Sequence, residues 1–347
     1  MRLVRRDAPS ALRSVAAVSV ACVIALGLAS LIFLALGRNP LEAYRAMVVG
    51  AFGSWYGLSE SLVRMVPLGL CALGIALAAR MGLWNIGAEG QLVAGAIAAT
   101  WVALFLRPPD WSMVWLVALA AACAGALWAT LASVLRAWIG VSEILSTLML
   151  NYVAQACLEY LVYGPWKGPD RFPYTVYFPQ SAWLPLWPGT RIHPGLVALV
   201  VLAVLLWVLL KTTRLGFEIR LTGDSPSASD YAGVPARSNI VLVMAISGAL
   251  AGLAGMFEVT GLEHRLPHAV APGFGYTAII VAWLARRHML GCLLVALVFG
   301  GLIVGGEDVQ ITLRIPQGAV GVLQGLLFVS VLGAEVFEHH EVRWGRR

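Results

Sequence analysis

The chain has 347 residues, of which 60% are hydrophobic and only 12% charged, with 24 Lys and Arg against 18 Asp and Glu and a net charge of +6. A soluble domain carries roughly twice that charged fraction, so a water-facing globule is excluded. The basic residues stand at the ends of apolar runs, as orientation in a bilayer requires, and this argues against nucleic acid as a partner.

In chain order, the first apolar run is residues 15–36 (VAAVSVACVIALGLASLIFLAL), which lacks charge and exceeds the roughly 20 residues needed to cross hydrocarbon. It follows MRLVRR and resembles a secretory signal. It is longer than a signal core, and no small-x-small cleavage site precedes Arg38, so a retained helix is expected. Further spans are predicted near 65–79, 90–106, 112–135, 144–164, 194–210, 239–257, 271–285, 289–306 and 318–334. The fold class is therefore all-α, a polytopic helical membrane protein of about 10 transmembrane segments (range 8–10). Helices are required because no lipid-exposed backbone group can go unpaired, and the runs are too continuous for a barrel.

One transmembrane domain, 1–347, is expected, with tails at 1–14 and 335–347, an outer loop at 165–193 and an inner loop at 211–238. Ten passes place fifteen of the 24 Lys and Arg on the side of both termini, which puts both termini in the cytoplasm. Arg2, Arg5, Arg6, Arg343, Arg346 and Arg347 belong to that set. Five cysteines lie in apolar runs and form no CxxC pair, so they read as small hydrophobes.

Residues 81–92 (MGLWNIGAEGQL) set Asn85, Glu89 and Gln91 between two apolar runs. Two readings stand side by side. Asn85 caps a helix beginning near Ile86, with Glu89 at the positive end of its dipole. Alternatively the helix is discontinuous within the membrane, where glycine-rich backbone is tolerated only along a cavity and an acidic group marks a site.

Residues 165–193 hold six prolines and many aromatics. Trp166, Trp183 and Trp187 suit a headgroup-level belt or a docking surface for an external partner. Small-xxx-small spacing at Gly248/Gly252, Gly301/Gly305 and Gly321/Gly325 predicts close helix packing. Residues 269–287 (AVAPGFGYTAIIVAWLARR) repeat the layout of a glycine break, a short apolar helix and a basic end. They read as an ordinary interrupted helix or as a second half-helix facing the first, with Phe274 and Tyr276 at its start.

No catalytic set is evident. The ionisable residues within the apolar runs are mainly Glu89, Glu143, Glu159 and Glu258, and Pro267 spoils a helical His264/His268 ligand pair. The chain lacks HExxH and a Gly-x-Ser-x-Gly elbow. A phosphate-binding loop needs Lys after Gly, but the two lysines, Lys167 and Lys211, follow Trp166 and Leu210. The chain is thus expected to be no enzyme and to bind no metal.

The run beginning at Gly82, GLWNIGAEGQ, resembles the G-(F/L)-x-NIGAEGQ signature of the nucleoside and simple-sugar class of ATP-binding-cassette (ABC) importer permeases. Residues 222–261 (TGDSPSASDYAGVPARSNIVLVMAISGALAGLAGMFEVTG) are similar to that family's GENPxAAxYAGI loop and SGALAGLAG helix. The block from His264 to Gly291 is similar to the next one, and the resemblance covers roughly residues 45–335.

The resemblance implies an ABC importer permease fold in a bacterial cytoplasmic (inner) membrane. It implies cytoplasmic ABC ATPase partners, a second permease chain (identical or different) and an extracytoplasmic solute-binding protein. It implies no cofactor bound by this chain, with ATP held in the partner subunit. It places Asn85, Gly87, Glu89, Gln91, Phe274 and Tyr276 beside the substrate path. It assigns Gly223, Asp224, Ser225, Pro226, Tyr231, Ala232 and Gly233 to the helix that couples to the ATPase. Asp224, Ser225 and Ser229 depart from the family's residues, which bears on which ATPase is recognised. The alternative function is an ion-gradient-driven secondary transporter of a small polar solute.

Overall fold

The computed structural model describes residues 2–5, 11–170 and 172–343. The remainder of the predicted tails, Arg6, Arg346 and Arg347 included, lies outside the described residues. In chain order the helices are α1 (Ala11–Ala35), α2 (Pro40–Phe52), α3 (Trp55–Arg80), α4 (Ala88–Trp101), α5 (Asp110–Val134), α6 (Glu143–Tyr163), α7 (Gly195–Thr212), α8 (Arg214–Asp224), α9 (Pro226–Tyr231), α10 (Ala236–Glu258), α11 (Phe274–Leu284), α12 (Met289–Thr312) and α13 (Gln317–His339). A five-residue π-helical turn extends each of α4, α5 and α10, to Leu106, Ile139 and Glu263. The all-α expectation holds apart from two short strands, Arg2–Arg5 and His340–Arg343, which pair antiparallel.

Six described helices are long and apolar enough to cross a bilayer: α3, α5, α7, α12, and α4 and α10 with their π turns. The bent pair α1–α2 makes a seventh if counted as one span. The expected count of about ten is not confirmed by length and composition of the described helices. Helix α11 has 11 residues, about 16 Å, and the apolar part of α13 is only Gly318–Ser330. Helix α6 has 21 residues but carries Asn151, Gln155 and Glu159.

The chain divides into two compact units, residues 1–58 with 301–347 and residues 59–300. In the first, α1 and α2 meet at 110°. Gly37 turns the chain with φ +70°, and the Asn39 side chain accepts from Leu41 N at 3.0 Å to start α2 at Pro40. Phe33, Ala43 and Met47 are buried with Val309, Ile315 and Leu323. The Tyr44 ring stands edge-on to Phe33 at 5.4 Å, and its hydroxyl donates to Leu26 O at 2.7 Å.

The second unit is built on backbone contact between α4, α5 and α10. Gly248 lies on the Gly125 carbonyl, Gly252 on the Ala121 carbonyl and Gly95 on the Gly252 backbone, so any side chain at these points would collide with main chain. In lipid, such packing rather than water exclusion drives association. Of the predicted pairs, Gly248/Gly252 meets α5, and Gly301/Gly305 meets Phe52 and Met47 within the first unit. Gly321/Gly325 has nothing within 4 Å among the described residues.

The 165–193 segment is irregular but pinned. Thr175 N donates to Leu266 O (3.1 Å), Phe178 N to His264 O (2.8 Å) and Leu184 N to Thr260 O (3.1 Å). Trp183 stacks on His264 at 4.0 Å, Arg265 lies over the Tyr174 ring at 3.7 Å, and Arg191 pairs with Glu60 at 3.1 Å. His193 is buried, and its Nδ1 accepts from Gly195 N at 3.2 Å to start α7. Burial, with help from Arg191 and His264, pulls its pKa down to about 4 from 6.5.

Gly252→Val is expected to cost roughly 1–3 kcal/mol by overpacking, read as a lower thermal midpoint of the purified protein; an unchanged midpoint would refute the close approach. For His193, the unfolded chain takes up a proton below about 6.5 and the folded one only near 4. Stability contributed by the neutral ring is therefore complete above pH 6.5 and lost as pH falls toward 4. His193→Asn should flatten that part of a pH–stability profile.

Candidate functional site

Helix α3 stops at Arg80, and α4 begins only at Ala88. Gly82 takes φ +80° between them, a conformation glycine adopts without steric cost. Across from this break a second one precedes α11, where Gly273 has φ +93°. The two helix starts touch through backbone, since Gly275 lies directly on Glu89 N and Cα.

The Glu89 carboxylate joins them. Its Oε1 accepts from Gly273 N at 2.7 Å and its Oε2 from Gly275 N at 2.6 Å. The first amides of α11 have no partner within their own helix, and a negative charge suits that end of the dipole. Hydrogen bonds to charged groups contribute about 1.5–3 kcal/mol each. Glu89 is 8% exposed, so these contacts are shielded from water.

A second layer holds the first break. The amides of Asn85 and Gln91 bond reciprocally, both contacts at 2.9 Å. Asn85 Nδ2 also donates to Ser247 Oγ on α10 at 2.8 Å, and its Oδ1 accepts from Gly87 N at 3.0 Å. Asn151 on α6 accepts from Gly90 N at 2.9 Å and donates to Ile86 O at 2.9 Å and to the Tyr276 hydroxyl at 3.2 Å. At the far edge Trp84 stacks on Trp283 of α11 at 4.3 Å.

The six residues expected beside a path are thus brought together, but Asn85, Gly87, Glu89, Gln91 and Phe274 are buried, and only Tyr276, 40% exposed, faces outward. The capping expectation is corrected in detail. Helix α4 starts at Ala88 with Gly87 as its N-cap, Asn85 turns back onto Gly87, and Glu89 caps α11 rather than its own helix. Asn151 and Ser247 escaped the sequence reading. The available signal was an amide inside the apolar run LMLNYVAQ and the one hydroxyl opening SGALAGLAG.

The segment assigned by resemblance to ATPase coupling spans the end of α8, the short helix α9 between Pro226 and Pro235, and a turn. Gly223 and Asp224 end α8, Ser225 caps α9 by accepting from Ala228 N at 3.3 Å, Pro226 and Tyr231 bound α9, and Ala232–Gly233 form the following turn, with Gly233 at φ +70°. Glu218 accepts from Arg214 and from Asn239, both at 2.8 Å, tying α8 to α10. These contacts hold its carboxyl below the usual range. The Thr222 and Ser229 hydroxyls meet at 2.9 Å. Tyr231 is 97% exposed.

This segment is packed on the break. Gly223 lies against the Arg80 carbonyl and Met81 Cα, and Arg80 Nε donates to Arg287 O, just past α11, at 2.9 Å. Among the described residues no group of three or more His, Cys, Asp or Glu could hold a metal.

Comparison with known proteins adds to this geometry. Residues 57–332 match the family described as the permease component of branched-chain amino acid transport systems. The chain is 38% identical to a glucose ABC transporter permease of Haloferax volcanii over 92% of its own length and 87% of the relative's. It is 33% identical to a guanosine ABC transporter permease of Bacillus subtilis, over 90% and 91%, and 32% identical to a nucleoside ABC transporter permease of Lactococcus lactis, over 82% of each.

Glu89→Ala is expected to free a part-buried amide at Gly273 and a buried one at Gly275, the latter costing about 1–3 kcal/mol. Hydrogen exchange at 273–276 should accelerate by at least about 10-fold, while Glu89→Gln, which keeps one acceptor, should do less. Unchanged protection in the alanine variant would mean that the carboxylate does not hold α11.

Proposed function

Because the chain belongs to the family of branched-chain amino acid transport system permeases, and is the membrane subunit of an ABC importer, we propose that its cargo is a nucleoside or a simple sugar. The cargoes named for its relatives, guanosine, nucleosides and glucose, support this reading. All are small polar rings bearing several hydroxyls.

The single observation that carries the mechanism is the contact between the coupling segment and the break. Closure of the ATPase dimer presses on α9 through the exposed Tyr231. Helix α8 and α10 move with it through Glu218, Thr222 and Ser229. Gly223 then transmits the displacement to Arg80, where α3 ends, and Arg80 relays it to the end of α11. Such rigid-body movement about packed elements is a common switching mode. Asn85, Gly87, Glu89 and Gln91 keep the two half-helices in register while they move, and Tyr276 meets the cargo.

In this reading a solute-binding protein delivers the cargo at the 165–193 segment. A second permease chain completes the pore, both termini face the cytoplasm of the bacterial inner membrane, and ATP is bound and hydrolysed in the partner subunit. This chain performs no chemistry on its cargo.

Two measurements test the proposal. Radiolabelled guanosine and glucose uptake should require co-expression of the ATPase and vanish on ATP depletion; uptake that instead follows the ion gradient at constant ATP would establish a secondary transporter. Tyr231→Ala should lower ATPase co-purification by about 10-fold or more, as loss of an exposed aromatic anchor does. Retention of full co-purification and uptake would remove Tyr231 from the interface.

A further inference from the structure

Helix α6 has two flanks at the same depth with opposite chemistry. At about 100° per residue, Tyr152, Gln155, Glu159 and Tyr163 fall within about 80° of one another. Tyr152, Glu159 and Tyr163 are exposed and Gln155 is half-buried. Gln155 Nε2 donates to Glu159 Oε1 at 3.0 Å and toward His268 O at 3.4 Å, and the Tyr163 ring lies 6.3 Å from that of His268. At the lower end of this flank Asn151 holds the Tyr276 hydroxyl. Polar groups therefore continue from the break to the 264–273 loop, over about 18 Å of helix.

The other flank of α6 carries Ala154, Cys157 and Leu161. It closes an apolar groove of about 640 Å³ with Ile97, Trp101 and Trp128. Of the donors there, Trp128 Nε1 is turned inward to Leu150 O at 3.3 Å and Thr130 Oγ1 to Ala126 O at 2.8 Å. Two such flanks cannot both face hydrocarbon. Ionisable and amide side chains within a span line water-filled cavities, whereas the groove suits acyl chains.

We propose that the ladder Tyr152–Gln155–Glu159, continued by Tyr276, is the water-filled wall along which the cargo travels, and that it recognises a vicinal diol on a ring. Glu159 accepts the two hydroxyl protons, Gln155 orients the carboxylate, and the Tyr152 and Tyr276 rings pack against the faces of a sugar or base. This rests on the importer reading and extends it, since neither Tyr152, Gln155 nor Glu159 belongs to the break or to the coupling segment.

The test has two arms in the full transporter. Tyr152→Cys, Gln155→Cys, Glu159→Cys and, as a control on the other flank, Leu161→Cys are made one at a time after Cys123→Ala and Cys157→Ala. A charged, membrane-impermeant thiosulfonate should react with the first three at least about 10-fold faster than with the control, and guanosine should protect them. Equal, slow reaction at all four would overturn the proposal while leaving ATP-dependent uptake, and hence the importer reading, intact. In the second arm, Glu159→Gln should lower guanosine uptake by about 10-fold, the size expected for losing a charged acceptor, and leave uptake of 2′,3′-dideoxyguanosine unchanged. A parent protein that carries both compounds equally well would overturn diol recognition even if the thiols react. Failure of the unmodified transporter to take up guanosine or glucose would instead count against the proposed cargo.

Discussion

One buried carboxylate organises the centre of the molecule. Glu89 stands in the first turn of α4 and caps α11, accepting from amides 184 and 186 residues further along the chain. In a hydrocarbon surround an interrupted helix leaves amides that no water can satisfy. Here Glu89 satisfies the otherwise unpaired amides of α11, and those amides offset part of the cost of burying its carboxylate. The glycines on both sides are what allow the approach, because a Cβ on Gly275 would occupy the place of the Glu89 backbone.

Around Glu89 the neighbouring helices of the same unit meet at close range. At Gly95, Gly125, Gly248 and Gly252 the backbones of α4, α5 and α10 meet directly. Hydrogen-bonded pairs tie α9 to α8 and α8 to α10, and Gly223 rests on the residue that ends α3. Main chain and short polar contacts thus join the end of α8 to the end of α3 and, through Arg80, to Arg287 just past α11.

The class, the location of the spans and the two motifs were legible in the amino-acid sequence, because hydropathy and fixed-spacing polar residues are local properties. The partner of Glu89 was not legible. Pattern reading assigns a carboxylate in a first turn to its own helix, and only the fold brings Gly273 within reach. Asn151 and Ser247 were missed for the same reason: each is a lone polar residue in an apolar run until Ile86 and Asn85 arrive beside it. Helix α9 begins at Pro226 because Ser225 and Pro226 together start a helix more strongly than Gly223 can extend one. Apolar runs and spans do not correspond one to one, because a stretch such as α11 folds into a helix of only 11 residues.

The unit formed by the two ends of the chain bears on biogenesis. Phe33 and Met47 are covered by Val309, Ile315 and Leu323, residues synthesised some 260 positions later. Residues 59–300 can assemble as each helix leaves the ribosome, but α1 and α2 stay without their mates until α12 and α13 have been made. Lipid or an insertase must shelter them meanwhile, and truncations near the carboxyl end should therefore orphan the first helices to emerge and expose them to quality-control proteolysis.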